Sequence, residues 1–368
     1  MFKSLKRNCW SILGLPFDTV NMQQTVTQVL NAIDMKQRCF LSTPNLNFAI
    51  ACQHDVDFYQ SVVDSDLSIA DGMPLIWISK LLNIPITERV AGSSLFEQLS
   101  STPRTKKIKV FFFGGEKGVA QCALAQLNAN SVGMTGCGFY DPGFVSVDEM
   151  SSPDIIKMIN ASQADFLVIA LGAKKGQAWL QKNRHQLNTP VISHLGAVIN
   201  FVAGSIQRAP ILWQRFGLEW VWRIRQEPNL WRRYFSDGLA FFKFLLLNVI
   251  PLAIYDRWLK RTADYQLPNA LSSEQAESKL INIAGSFHYG NLEKVESLFF
   301  KVLQQDNHDE VELNCAQLRY IDSAFIAKLL LFQRYLNKQG RQVSLSNLPC
   351  RIKRLLRLNN TLNRFQHK

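Results

Sequence analysis

Short apolar runs that end in glycine or a polar turn recur along residues 10–205, and helix-like segments follow most of them. The runs are "RCFLSTPN", "LSIADG", "KIKVFFFGG", "ADFLVIALGA" and "PVISHLGA". This alternation is typical of an α/β fold with a Rossmann-like, mainly parallel sheet covered by helices. Ligands of such sheets bind beyond the carboxyl ends of the strands, so we expect the functional site at that edge.

Length and charge narrow the class of protein further. A chain of 368 residues with 47% hydrophobic residues can form more than one domain with a sizeable core. Its formal net charge of +12 indicates a polyanionic partner, such as nucleic acid, anionic lipid or a phosphorylated substrate.

The seven cysteines contain no Cys-x-x-Cys pair, which favours a reducing compartment over a disulfide framework or a zinc site. We expect no signal peptide, because the basic start "MFKSLKRNCW" precedes no long apolar run.

After the predicted α/β core of residues 1–205, the composition changes. Residues 206–261 interleave arginines with tryptophans and then run into "LAFFKFLLLNVIPLAIYDRWLKR". Lys243, Asn248 and Pro251 interrupt this apolar run, so we expect it to lie in a membrane interface rather than to span a bilayer. Binding of single-stranded nucleic acid by stacking and a pair of buried core helices are the alternatives. The aliphatic run favours lipid, and we expect no nucleic-acid partner.

The rest of the chain reads as a linker and a second module. "TADYQLPNALSSEQAES", residues 262–278, is polar and is predicted to be a linker. Residues 279–368 repeat the alternation of strands and helices on a smaller scale and predict a small α/β domain.

Asp71 is the first candidate for chemistry. It follows the strand-like "LSIA" and precedes a glycine and a helical pattern. An aspartate there can cap the helix by accepting hydrogen bonds from its first amides. It can also act as a general base, because it lies at a strand end with Thr43, Asn45, Gly114, Gly172 and Gly196.

Two glycine-containing turns are candidates for phosphate binding. Gly114 and Gly115 stand between a strand and a helix in a Gly-Gly-x-x-Gly spacing, which suits either a tight turn or a phosphate cradle. "LGAKKGQAWL" repeats the arrangement with Lys174 and Lys175, which are either a solvated pair or a basic loop facing a diphosphate.

Taken together, these stretches resemble the WecG/TagA/CpsF family of bacterial glycosyltransferases over about residues 10–240. The segments that carry the resemblance are "TPNLNFAIA", "IADGMPLIW", "ERVAGSSLFE", "VFFFGGEKGVA", "GFYDP", "LGAKKGQAWL", "FVAGSIQRAP" and "GLEWVWRIRQEPNLWRRY".

The resemblance implies an inverting transferase that uses a UDP-activated N-acetylmannosamine-type sugar. The implied acceptor is a polyprenyl-diphosphate-linked sugar at the cytoplasmic face of the membrane, as in the synthesis of a surface polysaccharide. The implied base is Asp71, with Thr43 and Asn45 in the "TPN" loop and Arg89 as an active-site arginine. The implied membrane-proximal appendage carries Arg208, Arg223, Arg232 and Arg233.

A neutral hydroxyl is a weak nucleophile, which favours the base over the cap for Asp71. The leaving diphosphate needs positive charge, which we expect from arginines and backbone amides, so we expect no metal and no cofactor. Further substrate-binding candidates are Gly114, Gly115, Gly172, Lys175, Gln177 and Asn200.

Two departures from the family pattern bear on activity. The family commonly reads "GAPKQEKW" where this chain has "GAKKGQAW", so Gly176 stands at the glutamine position and Gln177 follows it. Asn200 replaces the family aspartate of "FDF". The alternative function is therefore a catalytically weak module that senses a nucleotide sugar and signals through the C-terminal domain.

The C-terminal module resembles STAS domains over about residues 279–360. "YIDSAFIAKLLLFQRYL" matches their "DSSG" loop and helix and places Ser323 at the position that is phosphorylated in anti-sigma-factor antagonists. Phosphorylation at a helix N-terminus is electrostatically favourable, but Asp322 or Ser323 can equally cap the helix. We expect this domain to be regulatory or to bind a protein partner, and we expect the whole protein to lie peripherally on the inner face of the cell membrane.

Overall fold

A computed structural model describes residues 3–215, 217–273, 280–305 and 310–367. The chain forms two compact units that do not follow chain order. The large unit comprises residues 20–76 and 87–238, and the small unit comprises residues 1–19, 77–86 and 239–368.

Thirteen strands are found in the described residues. They are β1 (Cys9–Ile12), β2 (Leu15–Asp18), β3 (Cys39–Ser42), β4 (Leu67–Ser68), β5 (Ile108–Gly114), β6 (Met134–Tyr140), β7 (Phe166–Ala170), β8 (Val191–His194), β9 (Ala270–Ser273), β10 (Leu280–Phe287), β11 (Glu310–Ile321), β12 (Gln342–Ser346) and β13 (Gln366–His367).

Sixteen α-helices are found in the same residues. They are α1 (Met22–Asp34), α2 (Leu46–His54), α3 (Val56–Val63), α4 (Met73–Leu81), α5 (Gly92–Ser101), α6 (Val119–Asn130), α7 (Pro153–Ala161), α8 (Ala173–Asn183), α9 (Val198–Ala203), α10 (Ile211–Arg215), α11 (Glu219–Gln226), α12 (Trp231–Phe244), α13 (Ile250–Leu259), α14 (Glu293–Gln304), α15 (Ser323–Lys338) and α16 (Cys350–Leu358).

The large unit is built on a six-stranded sheet in the order β4-β3-β8-β7-β5-β6. Every neighbouring pair in this sheet is parallel, so all six strands end at the same edge. Along β5, Val110 and Phe112 enter one apolar cluster, whereas Phe111 and Phe113 enter another. This two-residue alternation puts core on both faces of the sheet, as parallel sheets require. The predicted α/β fold is confirmed.

The small unit contains a mixed five-stranded sheet in the order β13-β12-β11-β10-β9. Strand β9 pairs antiparallel with β10, and the other neighbours are parallel. The hairpin β1–β2 packs on α15. Lys328 Nζ of that helix donates to the carbonyls of Leu5 and Arg7, which precede the hairpin, over 2.6 and 2.7 Å.

These units differ from the domains expected from the sequence. Residues 3–19 and 77–86 belong to the unit of the C-terminal domain rather than to the α/β core in which they were expected, and the expected appendage 206–261 is divided between the units after residue 238. Residues 270–273, expected in the linker, form the edge strand β9, whereas residues 274–279 lie outside the described residues. Such short segments show no clear repeat of apolar residues, and the residues that they pack against lie far away in the sequence. The other boundaries stay a prediction.

Among the described residues one helix, Pro228–Leu259, is long and apolar enough to cross a membrane by length and composition. Only 17% of its apolar 18-residue stretch is buried. Lys243, Asn248 and Pro251, which interrupt the apolar run in the sequence, lie inside this continuous helix. A π-helical turn at Leu245–Val249 directly precedes Pro251 and accommodates the missing proline N–H within the helix. The small unit buries Leu252 and Leu259 of this helix in its core.

Candidate active site

The ends of β3 and β4 bring the "TPN" loop against Asp71. The Ile69 amide donates to the Ser42 carbonyl over 3.0 Å, and the Asp71 amide donates to the Pro44 carbonyl over 3.0 Å. Two parallel strands that end together therefore place Thr43, Asn45 and Asp71 in one region, as the sequence predicted.

Thr43 and Asn45 have different local roles. Asn45 caps α2, because its side-chain oxygen accepts a hydrogen bond from the Phe48 amide over 3.1 Å. Thr43 is buried beside Gly92, where an added Cβ would lie 3.2 Å from Thr43 Cγ2. Gly92 therefore allows α5 to begin directly against the loop that carries Thr43.

Asp71 is a carboxylate with a raised pKa. Removal from solvent raises its pKa to about 6, and the negative charge of Glu219 acts in the same direction. Arg89 is the strongest opposing influence, followed by the Gly92 amide and Arg208. The amide that stabilises the carboxylate thus belongs to the start of α5. Asp71 retains partial exposure, so a ligand in the strand-end region can reach it.

Arg89 is held by a carboxylate that sequence reasoning missed. Its Nη1 lies 2.7 Å from Glu219 Oε2, and both side chains are largely buried. Glu219 is the first residue of α11, inside the "GLEWVWRIRQEP" segment. A lone acid placed between two arginine-containing motifs is the signal that could have identified it.

Arg208 is held against α5 and, like Arg89, acts on the Asp71 carboxylate. Its guanidinium forms an ion pair with Glu97, and Nη2 lies 3.0 Å from Ser94 Oγ and 3.3 Å from Gln214 Oε1. The structure therefore brings Asp71, Arg89 and Arg208 together, although the two arginines are far apart in the sequence.

Gly114 and Gly115 serve the close approach of β5 and β7. Both have positive φ, and a Cβ on Gly114 would lie 2.7 Å from the Ala170 carbonyl oxygen. The Gly115 amide already donates to that carbonyl over 2.7 Å. It is therefore engaged in the turn, which favours the tight-turn alternative for Gly115.

The "LGAKKGQAWL" segment forms the start of α8, with Gly172 at its N-cap. Lys174 pairs with Asp55 over 2.6 Å, whereas Lys175 Nζ donates to the Val145 carbonyl over 3.3 Å. Gln177 is only 1% exposed and lies 3.4 Å from Ser42 Oγ, below the strand end rather than beyond it.

The departure at Gly176 is matched by a second residue, His194. A Cβ on Gly176 would lie 2.2 Å from His194 Cδ2, so the imidazole occupies the space that any larger residue at 176 would need. The ring is fixed by Nε2, which lies 2.5 Å from the Leu171 carbonyl, and burial lowers the pKa of His194. The ring is therefore neutral near pH 7.

The remaining predicted residues lie on α9, α11 and α12. Asn200 is half-buried in α9, and Arg223 pairs with Glu227 one turn along α11 over 3.1 Å. Arg232 and Arg233 are exposed on α12, each over a neighbouring aromatic ring. Asp237 of the same helix accepts from Asn47 Nδ2 over 3.1 Å, which ties α12 to the helix that follows the "TPN" loop.

Residues 10–253 match the family described as "Glycosyl transferase WecG/TagA/CpsF family". The chain belongs to this glycosyltransferase family. Residues 271–361 match the family described as "Mlab, STAS domain", so the transferase carries a C-terminal STAS domain.

Three similar proteins carry the name N-acetylglucosaminyldiphosphoundecaprenol N-acetyl-beta-D-mannosaminyltransferase. The protein of Bacillus spizizenii is 28% identical over 55% of this chain and 77% of its own length. That of Bacillus subtilis is 26% identical over 61% of this chain and 87% of its own length. That of Staphylococcus aureus strain MW2 is 22% identical over 60% and 85%.

The expectation of no metal assumed that the chain lacks the Asp-x-Asp pair that many nucleotide-sugar enzymes use to hold a divalent ion. That assumption is wrong, because two segments of the transferase have this spacing. Asp55 caps α3 and pairs with Lys174, while Asp57 lies in the first turn of that helix. Asp64 pairs with Arg184, and Asp66 accepts from the Phe40 amide. In the described ranges no three His, Cys, Asp or Glu side chains group as a metal site.

The STAS loop places Ser323 at the first residue of α15. Its Oγ lies 3.4 Å from Asn359 Oδ1, and the side chain is only partly exposed. The cap is Asp322, which accepts from the Phe325 and Tyr289 amides, each over 2.8 Å. Capping by Asp322 is therefore observed, and phosphorylation of Ser323 stays a prediction.

Proposed function

We propose that the transferase moves an N-acetylmannosamine-type sugar from a UDP-sugar to a sugar linked to a polyprenyl diphosphate, with inversion at the anomeric carbon. The donor and acceptor come from the names of the similar proteins and from the family resemblance. The observation that carries the proposal is the grouping of Asp71 with Arg89 and Arg208 at the strand ends.

Asp71 fits the role of general base. A pKa of about 6 leaves most of the carboxylate ionised near pH 7, yet basic enough to accept a proton from an attacking hydroxyl. A base with a pKa close to the working pH combines the correct protonation state with a useful driving force. An inverting displacement requires this single base on the acceptor side of the anomeric carbon.

Arg89 and Arg208 fit the charge that develops on the leaving diphosphate. Each guanidinium is fixed by a carboxylate before any ligand arrives, Arg89 by Glu219 and Arg208 by Glu97. Donors that are already oriented stabilise charge in a transition state without reorganisation. Arg223, Arg232 and Arg233 add positive charge on the following helices, and we propose that they bind the lipid-linked diphosphate or the headgroups around it.

We propose that the helix Pro228–Leu259 lies in the membrane interface. Its side chains Trp231, Phe235, Leu239, Phe242 and Leu246 recur at intervals of three and four residues and are all exposed. Burial of Leu252 and Leu259 in a folded unit suits a helix lying along a surface better than one surrounded by lipid. A peripheral protein of this kind is released from membranes by alkaline carbonate, whereas retention would indicate a spanning helix.

The proposed reaction is tested with the full chain and a panel of UDP-N-acetylhexosamines. The acceptor is a short-chain prenyl diphosphate carrying N-acetylglucosamine, and the product is identified by mass spectrometry, with its anomeric configuration determined by NMR. We expect a product of inverted configuration with the N-acetylmannosamine donor. Donor binding without any product would instead support the nucleotide-sugar-sensing alternative, for which Gly176 and Asn200 are the motivating departures.

A further inference from the structure

Helix α16 presents a row of cations on one side and apolar residues on the other. Ile352, Leu355 and Leu356 are buried, whereas Lys353, Arg354 and Arg357 are exposed. In the described part of the chain these three cations form no ion pair with a carboxylate. The row is therefore available to an external anion.

Direct contacts place this row beside the end of the long apolar helix. The Arg354 guanidinium lies 4.5 Å from the centre of the Tyr255 ring, which stacks on Trp258 at 5.8 Å. Asn248 Nδ2 donates to Asn360 Oδ1 over 2.9 Å and lies 3.4 Å from the Leu358 carbonyl at the end of α16. Asn248 is one of the three residues that interrupt the apolar run in the sequence, and its contacts explain why a polar side chain stands there.

The helix Pro228–Leu259 exposes large apolar side chains beside α16. Leu247, Ile254 and Trp258 are 58–62% exposed and are spaced seven and four residues apart, so they share one side of the helix. Together with Lys353, Arg354 and Arg357 they form what we call the basic–apolar face.

The charge around this face is strongly one-sided. Residues 245–261 and 350–364 contain eight Lys and Arg residues and one carboxylate, Asp256. Asp256 is already engaged, because it pairs with Lys260 over 2.7 Å and accepts from Tyr320 Oη over 2.5 Å. Arg351 is likewise paired with Asp264, so the exposed charge that remains is positive.

We propose that the basic–apolar face is a membrane-docking surface of the STAS domain, and that its partner is a bilayer containing anionic lipid. Lipid phosphates would meet the cations of α16, while Leu247, Ile254 and Trp258 would enter the acyl-chain boundary. Nucleic acid would use the cations but not the exposed aliphatic side chains, and an acidic protein would leave them in water. The inference rests on the membrane part of the proposed function and not on the reaction.

The test compares two matched double variants of the full chain. K353Q/R357Q removes two exposed cations from α16, and K294Q/K301Q removes two exposed cations from α14. Binding is measured by flotation with vesicles of 30% phosphatidylserine in phosphatidylcholine, without any sugar nucleotide. At roughly fivefold per cation, we expect K353Q/R357Q to bind roughly 10- to 50-fold more weakly, and the control to bind within about threefold of the natural chain. Equal losses in both variants, or no loss in either, would overturn the proposal.

A second comparison separates the lipid from other anions. On pure phosphatidylcholine the difference between the two variants should disappear, whereas I254S/W258S should weaken binding to both kinds of vesicle. Circular dichroism confirms that each variant is folded. If K353Q/R357Q lost affinity for single-stranded DNA but kept its vesicle binding, the face would be a nucleic-acid site and the proposal would be wrong. Vesicle binding is read without turnover, so failure of the transferase assay leaves this test intact.

Discussion

Asp71 and Asp322 occupy comparable places in the two units, and the difference between them separates the proposed base from a structural carboxylate. Each follows a parallel strand and precedes a helix, and burial raises the pKa of each to about 6. Asp322 accepts two backbone hydrogen bonds and is nearly inaccessible. Asp71 faces two arginines and keeps partial exposure. A raised pKa alone therefore does not distinguish the proposed base from a structural carboxylate, whereas the two nearby arginines and the partial exposure of Asp71 do.

The largest expected effect is on the reaction. Asp71→Asn removes the proposed base while keeping the side-chain shape, so we expect kcat/KM to fall by about 10²–10⁴-fold. The measurement is the initial rate with the UDP-sugar that the panel identifies. Turnover within about tenfold of the natural chain would exclude Asp71 from the mechanism.

The same substitution should also stabilise the fold. The pKa of Asp71 is raised in the folded state, so ionisation opposes folding as the pH rises from 3.8 through about 6. Above about pH 6 the buried carboxylate is charged, whereas the amide that replaces it is neutral. We therefore expect the variant to gain about 1–3 kcal/mol in unfolding free energy near neutral pH. Below pH 3.8 the advantage should disappear, which thermal unfolding on either side of the window measures.

Asp322→Ala should show the opposite behaviour. It leaves the buried amides of Phe325 and Tyr289 without their acceptor, so we expect a loss of about 1–3 kcal/mol in unfolding free energy. Activity per folded molecule should remain. Ser323→Ala is the matched control, because it removes only a 3.4 Å contact to Asn359 and should cost under about 1 kcal/mol. A greater loss in the control would move the structural role from Asp322 to Ser323.

A third substitution tests the close packing of α8 against His194. Gly176→Gln forces a Cβ into the His194 ring, so we expect a loss of about 1–3 kcal/mol in unfolding free energy. Adding His194→Gly removes the obstruction and should recover part of that loss. Gly172→Gln is the control, since nothing lies within 4 Å of a Cβ at that position. A Gly176→Gln protein as stable as the natural chain would show that the His194 ring does not require glycine at position 176.

Sequence reasoning succeeded where topology alone decides position. Parallel strands end at one edge, so Thr43, Asn45 and Asp71 could be grouped from the strand pattern. Arg89 and Arg208 came only from the family resemblance, because their positions depend on tertiary packing. Glu219, Asp237 and His194 were missed for the same reason: each acts through a partner that no local pattern connects to it.

The smallest expected effect concerns how Glu219 tunes its neighbour. Glu219→Gln removes a negative charge that raises the pKa of Asp71 and frees Arg89 to act more strongly on that carboxylate. Both changes lower the pKa, so the acidic limb of the kcat/KM profile should move from near pH 6 to lower pH, by roughly half to one unit. Glu97→Gln is the matched comparison, because it removes the carboxylate partner of Arg208, whose influence on the pKa of Asp71 is weaker than that of Arg89, and it should therefore move the limb by less. A structural role for Glu219 would lower the rate equally at every pH. A larger shift of the limb in Glu219→Gln than in Glu97→Gln would instead support Glu219 as the residue that positions Arg89 and raises the proton affinity of the proposed base.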